Sequence, residues 1–177
     1  KIFENKILTN NGPYIQLLEE KLKKHLDVKN ITIVSSGTVA LEIALRSLNL
    51  KGEVITSPYS FIATSSSIKW SNLTPIYVDI DQETLNIDSN NIVKKINSKT
   101  TAILPVHTLG NPCNVSELEK IKTKYNLPII YDASACFDVK YNNMSILNYG
   151  DISTLSFHST KHFHTIEGGA LITNNDL

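Results

Sequence analysis

The chain predicts an α/β fold of three layers, with helices on both faces of a mostly parallel seven-stranded sheet, and three observations carry that expectation. Seven short apolar runs rich in β-branched residues recur along the sequence. Segments with the 3.6-residue apolar spacing of helices lie between them. Polar turns follow the ends of most runs. Such alternation builds βαβ units with right-handed crossovers and a sheet covered on both faces.

The strand-like runs fall at 31–34, 53–56, 75–78, 102–106, 128–131, 152–155 and 170–173. Ahead of the first, Ile15, Leu18, Leu22 and Leu26 share one helical face, with Lys21, Lys23 and Lys24 on the solvated side. Leu41, Ala44, Leu45 and Leu48 make a second amphipathic face in a helix starting at about Val39. Residues 61–70 and 89–96 carry weaker helical patterns. Ser116 and Glu119 have the spacing of a capping box ahead of Leu118, Ile121 and Tyr125. No internal repeat, low-complexity tract or linker interrupts the pattern.

With 177 residues, 41% hydrophobic and 19% charged, the chain suits one domain with a sizeable core. Seventeen basic residues balance seventeen acidic ones, so neither a nucleic-acid footprint nor a membrane-surface patch is expected. Cys113 and Cys136 are the only cysteines, too few for a disulfide framework, and the expected location is cytoplasmic. No apolar run approaches the ~18 residues of a membrane span. With Lys1 as first residue and a turn-like 174–177 stretch at the other end, the chain need not be a whole protein.

Ligands of open α/β sheets bind beyond the carboxyl ends of the strands, and four such ends carry chemistry. Ser36-Gly37-Thr38 opens a helix with hydroxyls, close backbone approach and free N–H groups, which suits an anion and equally suits an ordinary N-cap. Phe61 offers a face for a planar ring, or a core side chain. Asp132, flanked by Ala133, Ser134 and Ala135, can hydrogen-bond a pyridine nitrogen or cap a helix. Lys161, in Ser156-Phe157-His158-Ser159-Thr160-Lys161 and ahead of Gly168-Gly169, can mount an amine for Schiff-base chemistry and proton transfer, although most lysines are simply solvated. Their conjunction in one chain favours the functional alternative at each position. His158, His162, His164 and Glu167 lack the spacing of a zinc site, so no metal is expected. No Gly-x-Ser-x-Gly elbow anchors hydrolase chemistry.

Five segments extend this pattern into a resemblance. Leu8-Thr9-Asn10-Asn11-Gly12-Pro13, Ser36-Gly37-Thr38-Val39-Ala40-Leu41, Pro105-Val106-His107 with Gly110-Asn111-Pro112-Cys113, Tyr131-Asp132-Ala133-Ser134, and the run from Asn148 to Lys161 resemble the DegT/DnrJ/EryC1/StrS sugar aminotransferases. That resemblance implies the large domain of a fold type I aminotransferase using pyridoxal 5'-phosphate. It implies Lys161 as the Schiff-base lysine, Asp132 as partner of the pyridine nitrogen, Phe61 as the stacking residue, and Gly37, Thr38 and Ser156 as phosphate ligands. The implied substrates are a nucleotide-linked keto sugar, most similar to the dTDP-6-deoxy series including 3-aminotransferases, and an amino-acid donor such as glutamate. A homodimer is implied as well.

Two departures accompany the resemblance. The family usually places Gln or His three residues after the aspartate, where this chain has Ala135. Its members also continue into a small C-terminal domain, so residues 1–177 are expected to be the large domain alone. Arg46 is the only arginine, on a helix face expected to lie far from the site, which leaves no clamp for a donor carboxylate. Ala135 and the length keep a non-catalytic sugar-nucleotide-binding or assembly module as an alternative. A sugar dehydratase or isomerase is another, disfavoured because related dehydratases replace the lysine with histidine.

Overall fold

The computed structural model describes residue 4 and residues 11–175. All seven expected strands form, as β1 (Asn30–Val34), β2 (Glu53–Thr56), β3 (Thr74–Tyr77), β4 (Thr100–Leu104), β5 (Ile130–Asp132), β8 (Ile152–Ser156) and β9 (Gly169–Thr173). A short hairpin, β6 (Lys140–Tyr141) and β7 (Met144–Ser145), is additional. Asn142 and Asn143 turn it, both with positive φ, where asparagine tolerates the left-handed region best.

Sheet order is β3-β2-β4 on one side and β5-β8-β9-β1 on the other. Parallel bridges Ile103–Ile129 and Val106–Asp132 join the two sides into one seven-stranded surface. Within this surface every pairing is parallel except those of β9, which runs against both β8 and β1. The β8–β9 connection is therefore a wide hairpin rather than a crossover, and it carries Lys161.

Alternation along the strands fixes the layers. Ile130 joins Leu41, Ala44, Leu45, Val54, Ile68 and Leu104 in a core with helices α2 (Gly37–Ser47) and α3 (Ile62–Trp70). Its neighbours Ile129 and Tyr131 point to the other face, into a core with Ile92 of α4 (Ser89–Lys95) and Leu118 and Ile121 of α5 (Val115–Tyr125). Leu22 and Leu26 of α1 (Pro13–Leu26) pack on that same face with Leu155, Ala170 and Ile172.

Helix starts differ from the sequence expectation in two places. α2 begins at Gly37, two residues early, because Ser36 caps it by accepting the Val39 N–H at 3.2 Å. α5 is capped by Asn114, which accepts the Glu117 N–H at 3.3 Å, so Ser116 lies inside the first turn. Glu119 instead accepts the Gly150 N–H at 3.1 Å, tying α5 to the β8 approach. Of the motif at 8–13, residues 8–10 lie outside the described residues; Gly12 is the N-cap of α1 and Pro13 occupies its first position, where its missing N–H costs nothing.

Candidate active site

A cavity of about 650 Å³ opens at the carboxyl ends of the strands, and Gly37, Thr38, Phe61, Asp132, Ser156 and Lys161 all line it. Residues singled out on four separate strand ends thus share one space. Arg46 does not reach it: its guanidinium donates to the Trp70 carbonyl at 3.1 Å and pairs with Glu42 at 3.4 Å.

One end of the cavity is a cradle. Ser36 takes the Val39 N–H with its hydroxyl and the Ala40 N–H with its carbonyl, which leaves the Gly37 and Thr38 N–H groups without a protein partner among the described residues. Free N–H groups at a helix start, with the helix dipole behind them, favour an anion. Gly37 is buried, and a Cβ there would come within 2.9 Å of Ser156 Cβ. Gly169 in β9 is equally constrained, because a Cβ would lie 2.5 Å from the Ser36 carbonyl carbon and 2.6 Å from Gly37 N. The glycines let the loop, β8 and β9 close around this corner.

Asp132 lies across the cavity, at the end of β5 and 5% exposed. Two residues beyond Ile130, it projects toward α2 and α3. There Thr64 Oγ1 donates to Oδ2 at 2.7 Å, while Ser134 donates to Oδ1 from its hydroxyl at 2.6 Å and its N–H at 3.2 Å. The sequence expectation contained Asp132 without Thr64, which contacts it from 68 residues away.

Lys161 is half-buried on the β8–β9 loop. Its N–H donates to the His158 carbonyl at 2.9 Å, and its amine makes no hydrogen bond or ion pair among the described residues. The loop is cinched by Phe157 N–H to the Gly168 carbonyl and Ser159 N–H to the Ile166 carbonyl, both 2.8 Å. His158 Nε2 approaches Glu167 at 3.6 Å across its two limbs. His162 and His164 do not join them, and no group of three metal-ligating side chains occurs among the described residues.

Phe61 is the N-cap of α3 and 77% exposed at the cavity rim, so it is a free face rather than a core side chain. Ala135 stands on the cavity wall with its carbonyl packed where Gly110 has no Cβ. His107 forms part of the floor, 1% exposed and stacked on Tyr131 at 4.5 Å. Its Nδ1 accepts the Cys113 N–H at 3.0 Å, and burial pushes its pKa down to about 3. Burial likewise raises both thiols, Cys136 to about 12, so neither is poised as a nucleophile.

These parts fit a flat, phosphorylated aldehyde of pyridine: an anion cradle cleared of side chains at one end, a carboxylate held as an acceptor at the other, an aromatic face and an uncommitted amine. Comparison with known proteins gives the same frame. A dTDP-4-amino-4,6-dideoxy-D-glucose transaminase of Shigella dysenteriae is 50% identical over 174 residues, 98% of this chain and 47% of that protein. A transaminase of the same name from Escherichia coli is 45% identical over 177 residues, again 98% and 47%. Among solved structures, DesI in the presence of its TDP-sugar product matches with a TM-score of 0.95 at 29% identity, covering 98% of this chain and 44% of that one. NtdA from Bacillus subtilis with bound cofactor PMP matches with a TM-score of 0.86 at 36% identity, covering 94% and 38%. The chain thus spans under half the length of these relatives. Aminotransferases of this kind depend on pyridoxal phosphate. Because the match to the family runs over residues 1–177 and takes in every strand end that builds the cavity, the chain belongs to the DegT/DnrJ/EryC1/StrS aminotransferase family.

Proposed function

We propose that residues 1–177 form the cofactor-binding large domain of a pyridoxal-phosphate-dependent aminotransferase, which moves an amino group from an amino acid, glutamate first among donors, to a nucleotide-linked keto-deoxy sugar. The convergence of Lys161, Asp132 and the Gly37–Ser156 corner on one cavity carries this assignment. The relatives named for dTDP-4-amino-4,6-dideoxy-D-glucose support a dTDP-linked sugar and make a C4 ketone the first substrate to test, ahead of a C3 ketone.

When bound, pyridoxal phosphate supplies an aldehyde for amine capture and a ring that withdraws electrons from the adjacent carbon. Gly37 and Thr38 N–H groups with the Ser156 hydroxyl would hold its phosphate at the α2 terminus. Asp132 would keep a proton on the ring nitrogen, and Phe61 would offer its face to the ring. Lys161 Nζ would serve first as the covalent anchor. Released, the same amine would take a proton from the donor carbon in one half of the reaction and give one to the sugar-derived carbon in the other.

A homodimer belongs to this proposal. Tyr59, Phe61, Ile62 and Leu109 are large apolar side chains left exposed around the cavity, a surface that a second copy can cover. Arg46, engaged with Trp70 and Glu42, is not placed to clamp the donor carboxylate.

Reductive trapping tests the assignment. Protein incubated with pyridoxal phosphate and borohydride is expected to carry the adduct on Lys161 by peptide mapping, and Lys161→Ala to carry none. Adduct formation in the Lys161→Ala protein at wild-type yield would overturn it. Loss of the cofactor absorbance band on adding glutamate distinguishes transamination from dehydration and from a non-catalytic module.

A further inference from the structure

Thr64 is fully buried in the first turn of α3, and deeper in a helix such a hydroxyl commonly bonds back to the carbonyl four residues earlier. Ser66 in the same helix does so, donating to the Ile62 carbonyl at 3.0 Å. Thr64 instead turns its hydroxyl across to the sheet and donates to Asp132 Oδ2 at 2.7 Å.

A carboxylate has about four acceptor sites. Ser134 fills both on Oδ1, with its hydroxyl at 2.6 Å and its N–H at 3.2 Å, and Thr64 fills one on Oδ2. One acceptor site on Oδ2 remains, on a side chain that lines the cavity. Donors on both oxygens also stop the carboxylate from rotating.

We propose that Thr64 and Ser134 are positioning residues: they clamp Asp132 so that its single open acceptor site meets the N–H of a protonated heteroaromatic ring in the cavity. This rests on the cofactor assignment above and adds to it the two residues that aim the carboxylate. α3 makes the device a unit, since Phe61 caps the helix and Thr64 N–H donates to the Phe61 carbonyl at 3.1 Å. The exposed aromatic side chain and the carboxylate clamp therefore share one helical turn.

The test uses pyridoxal phosphate labelled with ¹⁵N in the ring. Wild-type protein is expected to show the resonance of a protonated ring nitrogen. Thr64→Val, which keeps the shape and removes the donor, is expected to bind cofactor about tenfold more weakly and to move the resonance toward the unprotonated value. Thr64→Ser restores both readouts. Wild-type affinity and an unmoved resonance in Thr64→Val overturn the proposal. Should that variant fail to fold by circular dichroism, Ser134→Ala decides: a shift in the same direction supports the clamp and an unmoved resonance overturns it. Failure of the wild-type protein to bind the cofactor at all overturns the cofactor assignment itself, and the clamp with it.

Discussion

Gly37 and Ser156 touch at the corner where the first turn of α2 meets the end of β8, and only the missing Cβ of Gly37 allows it. Gly37→Ala puts a methyl 2.9 Å from Ser156 Cβ, on a loop against which Gly169 is already closely packed. The substitution is expected to destabilise by ~1–3 kcal/mol and to open the anion cradle. Urea unfolding checks the first effect, and binding of pyridoxal phosphate against pyridoxal checks the second: preference for the phosphorylated form should shrink.

Phe61 gives the opposite balance. At 77% exposed it contributes little burial, so Phe61→Ala should leave the unfolding midpoint unchanged. Loss of the stacking face should weaken cofactor binding by ~0.5–1.5 kcal/mol. Parallel thermal melts and cofactor titrations measure both; a large drop in midpoint would show that the side chain is a packing element.

The sheet was legible because its central strands, β2, β4, β5 and β8, are mostly buried and read as apolar runs. Direction was harder, since the run at 170–173 looks the same either way. A parallel crossover needs a dozen or more residues, usually a helix, and the stretch from Phe157 to Gly168 has no helical period, so the reversal of β9 had a usable signal. Lys161, Asp132 and the Ser36–Thr38 turn were legible because each follows a strand end. Thr64 was not: its partner is 68 residues away, and a threonine in a weakly amphipathic helix carries no local mark. The α5 cap was misplaced because Asn114–Glu117 and Ser116–Glu119 offer the same spacing.

His107 makes stability acid-sensitive. In the folded protein burial holds its pKa at about 3, against 6.5 when exposed. Between those values the unfolded chain binds a proton that the folded chain refuses, so stability falls as pH drops from 6.5 toward 3. The slope approaches ~1.4 kcal/mol per pH unit for this one group. His107→Gln, which can still accept the Cys113 N–H, should flatten the dependence by one proton. Urea unfolding at pH 7, 6 and 5 reads the slope; equal slopes in both proteins would show that His107 is not the group responsible.

Ala135 stands where the family resemblance leads one to expect Gln or His, and the structure puts it on the cavity wall three residues past Asp132. A methyl cannot hydrogen-bond a ring substituent, so a bound pyridoxal phosphate has no partner from this position. Ala135→Gln adds an amide into a cavity of about 650 Å³ without touching the backbone contact at Gly110. One added hydrogen bond is worth ~1 kcal/mol, so cofactor affinity should rise by about fivefold. Dissociation constants from absorbance titration check it, with 3-deoxypyridoxal phosphate as the control. The gain should vanish for that analogue, which lacks the ring hydroxyl, and a gain that persists would mean the new amide acts elsewhere in the cavity.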